Sequence, residues 1–250
     1  MSARFAQGSV VSPVKPPRPG RGRARTASAG TSGVTPKPGG KERSARPFVP
    51  AARSLSAMRE AASACRGCDL YARATQVVFG AGTRRARIVF VGEQPGDRED
   101  IEGQPFVGPA GSVLSRAMDD AGISAADSYV TNAVKHFSWE PRGKRRIHKK
   151  PRLSEVRACR PWLEAELDAI RPAVVICLGA TAAQSLLGTT FRLTAHRGEM
   201  IESPLARAVL ATIHPSAVLR APDDESRRAA YEGLVADLKV AAAEAGKAQK

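Results

Sequence analysis

The basic run K-R-R-I-H at residues 144–148 ends in a histidine, with Lys149 and Lys150 directly behind it. Two chemistries fit this stretch. Lys144, Arg145 and Arg146 can hold phosphate oxygens with His148 as a bystander. Alternatively the imidazole is the reactive group, because a neutral ring nitrogen is a nucleophile that needs no deprotonated water. A second set is the four cysteines. Cys65 and Cys68 form a C-x-x-C hook, Cys159 lies in a helical pattern, and Cys177 sits near the end of an apolar run. Structural zinc sites commonly pair two such hooks. Here seventeen residues separate the second pair, which suits a [4Fe-4S] cluster better than zinc. For Cys177 taken alone the rival reading is an inert buried thiol. A third set lies in loops. G-E-Q-P-G-D at 92–97 brackets a tight turn that presents Glu93, Gln94 and Asp97, and H-P-S-A-V-L-R at 214–220 carries His214, Ser216 and Arg220.

These groups need a frame. Apolar, β-branched runs at 87–92, 128–134, 173–179 and 207–213 read as strands. Helical periodicity occupies 54–64, 111–121, 153–170, 180–187 and 223–243. Strands alternating with helices predict an α/β fold: a doubly wound, mainly parallel central sheet flanked by helices in three layers. In such folds the ligand crevice lies outside the carboxyl ends of the strands. The reactive loops named above follow those ends.

The chain has 250 residues and a net charge of +15. Ten Lys/Arg against one acid, Glu42, lie in residues 1–50, so that stretch holds +9 of the total. It is rich in Pro, Gly, Ser and Arg and lacks apolar periodicity, which predicts a disordered basic tail followed by one folded domain at 51–245. An Arg- and Ser-rich organelle transit peptide is the alternative reading of the tail. No apolar run is long enough for a secretory segment or a membrane span. The expectation is a monomer in a reducing, cytoplasmic setting, associated with the nucleoid in a bacterium, with nucleic acid rather than membrane as its partner.

Taken in order, these motifs resemble the uracil-DNA glycosylase superfamily. G-E-Q-P-G at 92–96, P-F-V-G-P-A-G at 105–111, T-N-A-V-K at 131–135, H-P-S at 214–216, the hook and two distant cysteines all match its pattern. The resemblance covers about residues 54–240 and is nearest to the iron–sulfur type-4 branch. Two departures, Gln94 in place of the usual alanine and the K-R-R-I-H insert, resemble the X-type branch, whose members remove uracil and stay covalently attached to the abasic sugar through that histidine.

The resemblance implies a role for each residue. Phe106 stacks on a base turned out of the helix. Asn132 accepts from uracil N3–H and donates to O4, a pattern that cytosine reverses. His214 donates toward O2, Gln94 binds the base through its backbone N–H, and Asp97 stands at the mouth of the crevice. Ser216 and Arg220 meet the DNA, as do Lys144, Arg145 and Arg146. Glu93 orients His148 for attack on C1′. Uracil-containing DNA, preferably single-stranded, is the implied substrate, and Cys65, Cys68, Cys159 and Cys177 are the implied ligands of a [4Fe-4S] cluster. Two other readings stay open: a hydrolytic type-4 enzyme with turnover, and an iron–sulfur nucleic-acid-binding protein without catalysis. His136 and His196 read as structural or surface histidines.

Overall fold

The computed structural model of the chain describes residues 43–52 and 54–247. Most of the expected basic tail, residues 1–42, lies outside the described residues. Residues 43–50 of that stretch are described and pack against the chain that follows. Arg46–Phe48 form a 3-10 turn, Ala45 is 1% exposed, and its N–H donates to Ala158 O at 2.7 Å.

In chain order the elements are α1 (Leu55–Ala62), β1 (Ala81–Gly82), β2 (Ile88–Gly92), α2 (Asp97–Glu102), α3 (Pro109–Asp120), β3 (Ser128–Asn132), β4 (Trp139–Arg142), β5 (Arg145–His148), α4 (Leu153–Ile170), β6 (Val174–Leu178), α5 (Ala180–Leu187), α6 (Leu193–His196), β7 (Met200–Ser203), β8 (Ala206–Thr212), α7 (Pro215–Leu219) and α8 (Asp224–Lys247). Six strands form one sheet in the order β1-β3-β2-β6-β8-β7. The four central strands pair in parallel, and the two edge strands, β1 and β7, run antiparallel. The doubly wound, mainly parallel sheet expected from the sequence is therefore present.

Strands covered on both faces must be apolar at every position. β2 and β6 obey this, being buried throughout. Their alternation sorts the side chains into two cores. Val89, Val91, Val175 and Cys177 pack with α1, α4 and α5, whereas Ile88, Phe90, Val174, Ile176 and Leu178 pack with α3 and α8. The helices thus form one layer on each face. No helix among the described residues is long and apolar enough to cross a membrane.

The four principal strands and the long helices fall where periodicity places them. The edge strands are short, and nothing in their composition marks them. The basic insert is the larger surprise: β4 and β5 form a separate two-stranded hairpin. Gly143, at φ 60, begins its two-residue turn, at the position such turns reserve for glycine. The H-P-S-A-V-L-R stretch, expected as a loop, folds as the short helix α7 with Pro215 at its first position.

Candidate active site

The chain runs from β2 to β3 on one side and then returns to place β6 on the other side of β2, so the sheet has its switch point between β2 and β6. Ligands of doubly wound sheets bind at such points. A cavity of about 760 Å³ lies there, lined by Glu93, Gln94, Asp97, Phe106, Asn132, His148, Gly179, His214, Ser216 and Arg220 among others. The structure thus gathers most of the site residues expected from the sequence.

Register fixes the centre of the cavity. Gly92 pairs with Asn132 across β2 and β3. A Cβ at position 92 would lie 2.3 Å from Asn132 Oδ1 and 2.8 Å from the tip of the Phe106 ring, so glycine lets amide and ring converge. Phe106 is held at φ 58, a left-handed backbone that costs a non-glycine residue about 1–3 kcal/mol. Glu99 braces its loop, accepting from Gly96 N at 3.1 Å and Gly108 N at 2.8 Å. The Phe106 ring stacks against His214, with centroids 6.4 Å apart and planes 26° from parallel.

His214 caps α7. The Ser216 N–H donates to its Nδ1 at 3.1 Å. Burial, reinforced by the positive charge of Arg220 and by His148, pushes its pKa down to about 4. The ring is therefore neutral at pH 7, and with Nδ1 accepting, its proton sits on Nε2. That leaves one N–H donor for a ligand carbonyl. Arg220 is exposed and bonds the Ser216 hydroxyl at 2.8 Å.

The hairpin divides the basic run by the two-residue alternation of a strand. His148 pairs with Trp139 and Arg146 with Pro141, on one face; Ile147 pairs with Glu140 and Arg145 with Arg142, on the other. His148 Nε2 lies 3.5 Å from Glu93 Oε1, and its ring is 6.2 Å from that of Phe137. Arg146, expected at the DNA backbone, is instead engaged by protein. It bonds the buried Asp100 carboxylate at 2.5 Å, Asp97 Oδ1 at 2.7 Å and Thr75 Oγ1 at 3.0 Å. Asp97, expected at the mouth of the crevice, supplies one of those contacts. Gln94 anchors both ends of the hairpin, its Nε2 donating to Ser138 O and Lys149 O at 3.1 Å and its Oε1 accepting from Ser138 N at 3.0 Å. These clamping roles of Gln94, Arg146 and Asp100 were missed; only an acid spacing of i, i+3 in α2 hinted at a cation between Asp97 and Asp100. Lys144 and Arg145 remain exposed.

Three of the four cysteines share a neighbourhood. Cys65 Sγ accepts from Trp162 Nε1 at 3.2 Å and Cys159 Sγ from Lys135 N at 3.3 Å. Burial pushes the Cys68 thiol up to about 11, with Cys65 nearby adding to the shift, and the Cys159 thiol up to about 12, with Cys68 and Cys65 again contributing. Cys177 stands apart: burial alone raises it to about 12. Among the described residues no three His, Cys, Asp or Glu side chains converge closely enough to hold a metal ion. Cys177 lies in the middle of the sheet, paired with Ala211 and Val91, in the same packed core as Cys65, Cys68 and Cys159. His136, expected as structural, is buried, and burial drives its pKa down to about 4.

Fold and site define a three-layer α/β protein whose crevice offers an aromatic ring, an amide and a neutral imidazole donor to a flat, hydrogen-bonding ligand. The chain belongs to the uracil-DNA glycosylase superfamily, whose family model, described as "Uracil DNA glycosylase superfamily", matches residues 79–239. It is 37% identical over 181 residues to a type-4 uracil-DNA glycosylase of Thermotoga maritima, covering 72% of this chain and 91% of that protein. It is 39% identical over 165 residues to the type-4 enzyme of Archaeoglobus fulgidus, covering 63% and 79%. A type-5 uracil-DNA glycosylase of Pyrobaculum aerophilum is 34% identical over 130 residues, 51% of each chain.

Proposed function

We propose that this protein excises uracil from DNA and then remains bonded to the abasic sugar through His148. The observation that carries this reading is the half-exposed His148, 3.5 Å from Glu93 at the rim of a cavity that also holds Asn132, Phe106 and His214. A uracil-containing strand, preferably single, supplies a base that costs least to unstack. The base stacks on Phe106, Asn132 accepts from N3–H and donates to O4, and the backbone N–H of Gln94 adds a further bond. His214 Nε2–H donates to O2, where negative charge accumulates as the bond breaks.

The C1′–N1 electron pair leaves on uracil, giving a sugar with oxocarbenium character and a uracil anion that is later protonated. A lone pair of the His148 ring forms the new bond to C1′, and the ring N–H proton passes to Glu93 or solvent. Holding the ring beside the sugar removes most of the entropic barrier to this step, on the order of several kcal/mol. Exposed Lys144, Arg145 and Arg220 hold the phosphates. A [4Fe-4S] cluster is proposed on the resemblance to the iron–sulfur type-4 branch; Cys65, Cys68 and Cys159, neighbours that do not yet converge on one metal position, are the thiolates that would close on it, and no step of the reaction is assigned to it.

A second reading, a type-4 hydrolase with turnover, is favoured by the identity to the Thermotoga and Archaeoglobus enzymes. One denaturing gel separates the two. Uracil-containing single-stranded DNA should give a shifted, denaturation-resistant band with wild type and none with His148→Ser. Free abasic product with multiple turnover would establish the hydrolase instead, and no uracil release at all would leave a binding protein.

A further inference from the structure

A polar cluster lies buried beneath the T-N-A-V-K turn, and no step above uses it. The Lys135 ammonium and the Glu166 carboxylate, both completely buried, meet at 2.5 Å. Lys135 Nζ also donates to Thr131 Oγ1 at 2.6 Å and to the backbone oxygen of Asn132 at 2.9 Å. Glu166, reaching up from α4, accepts in addition from Gly80 N at 3.1 Å, Tyr129 OH at 2.9 Å and Thr131 Oγ1 at 3.0 Å. As a device for stability alone this pair is expensive. Desolvating two charges offsets most of their attraction, and apolar replacements of buried ion pairs are often neutral or stabilising.

What the pair does specifically is fix a turn. The ammonium closes a three-residue loop from Lys135 back to the carbonyl of Asn132, and Glu166 holds the ammonium. An amide tells uracil from cytosine only if its oxygen and nitrogen keep their places. The backbone that carries the Asn132 side chain must therefore be rigid.

We infer that Lys135, held by Glu166, is a positioning residue that orients Asn132 for reading the base. The inference deepens the proposed function and rests on it. Replacing one charge alone strands the other in the core, so the informative variant is Lys135→Met/Glu166→Gln. It removes both charges while the glutamine oxygen still accepts from Tyr129 OH and Gly80 N.

Two titrations on the purified full chain test it, one with free uracil and one with uracil-free single-stranded DNA. The double variant should lose uracil affinity by about tenfold or more, the scale of a buried charge-assisted hydrogen bond. Its affinity for uracil-free DNA, set by exposed cations, should be unchanged. In an Asn132→Ala background the same two substitutions should change uracil affinity less than about twofold, because residues acting through one partner are not additive. Unchanged uracil affinity, or full additivity with Asn132→Ala, overturns the inference while leaving the proposed function intact. A wild-type protein that does not bind uracil overturns both. If the double variant does not fold, Lys135→Arg, which keeps both charges but moves the donor that meets the Asn132 carbonyl, is judged by the same criteria.

Discussion

At the scale of single residues, the site depends on groups kept neutral or strained by their surroundings. His214 is neutral because burial disfavours its cation, with its pKa near 4. Its ring resonances should therefore titrate with a midpoint far below the free value of about 6.5. A midpoint near 6.5 by NMR would remove the basis for assigning its proton to Nε2. Gly92 is the second such position. Gly92→Ala would push a methyl group into Asn132 Oδ1 and the Phe106 ring, so uracil release should fall by about a hundredfold or more while the protein stays folded. Circular dichroism and a release assay on one preparation check this together. The type of each of these residues was legible in the sequence. That Gly92 stands opposite Asn132 was not, since the register belongs to the paired strands.

At the scale of elements, the two-residue alternation of the β4–β5 hairpin splits K-R-R-I-H into one face toward the cavity and one toward solvent. Arg145 is exposed on one face, whereas Arg146 and His148 share the other, which meets α2 and Glu93. Arg146 bridges the hairpin to Asp97 and Asp100 of α2. Arg146→Ala should loosen the hairpin and leave the buried Asp100 carboxylate with one partner fewer. Adduct formation should drop by about tenfold or more, with a smaller fall in uracil release, because His148 acts only after the base has left. Gel yield and released uracil, measured on the same samples, would contradict this if both fell equally. Arg145→Ala should instead weaken DNA binding at low salt and flatten its salt dependence. The insert was legible in the sequence, but the pairing of Arg146 with Asp97 and Asp100 was not. A run of cations carries no mark of which will meet a buried acid.

At the scale of the whole molecule, protonation and cysteine chemistry are properties of the packed domain. His136 and His214 both have folded pKa values near 4, below the unfolded value of about 6.5. The unfolded chain therefore binds more protons between those limits, and stability is full above about pH 6.5 and is lost as pH falls toward 4. Urea midpoints should be flat above pH 7 and decline below 6.5, with a shallower decline in His136→Gln. For the cysteines, Cys159→Ser should abolish bound iron in protein isolated without oxygen and Cys177→Ser should leave it unchanged. Iron and sulfide analysis gives the answer, and iron loss in Cys177→Ser would restore the four-thiolate set.

The sequence by itself determined the sheet, the long helices, the order of the motifs and the identity of nearly every group in the cavity. Those follow from periodicity and from residue type, which are local. Only the tertiary structure decided that Cys177 lies in the packed core of the sheet, that Ala45 bonds to Ala158 of α4, and that Gln94 and Arg146 serve as clamps. It also decided that the histidine of K-R-R-I-H stands at the cavity rim beside Glu93, and that Arg146 meets the acids of α2 while Arg145 stays exposed. Each of these depends on which strands lie side by side and in what register, and register is settled by contacts between segments far apart in the chain.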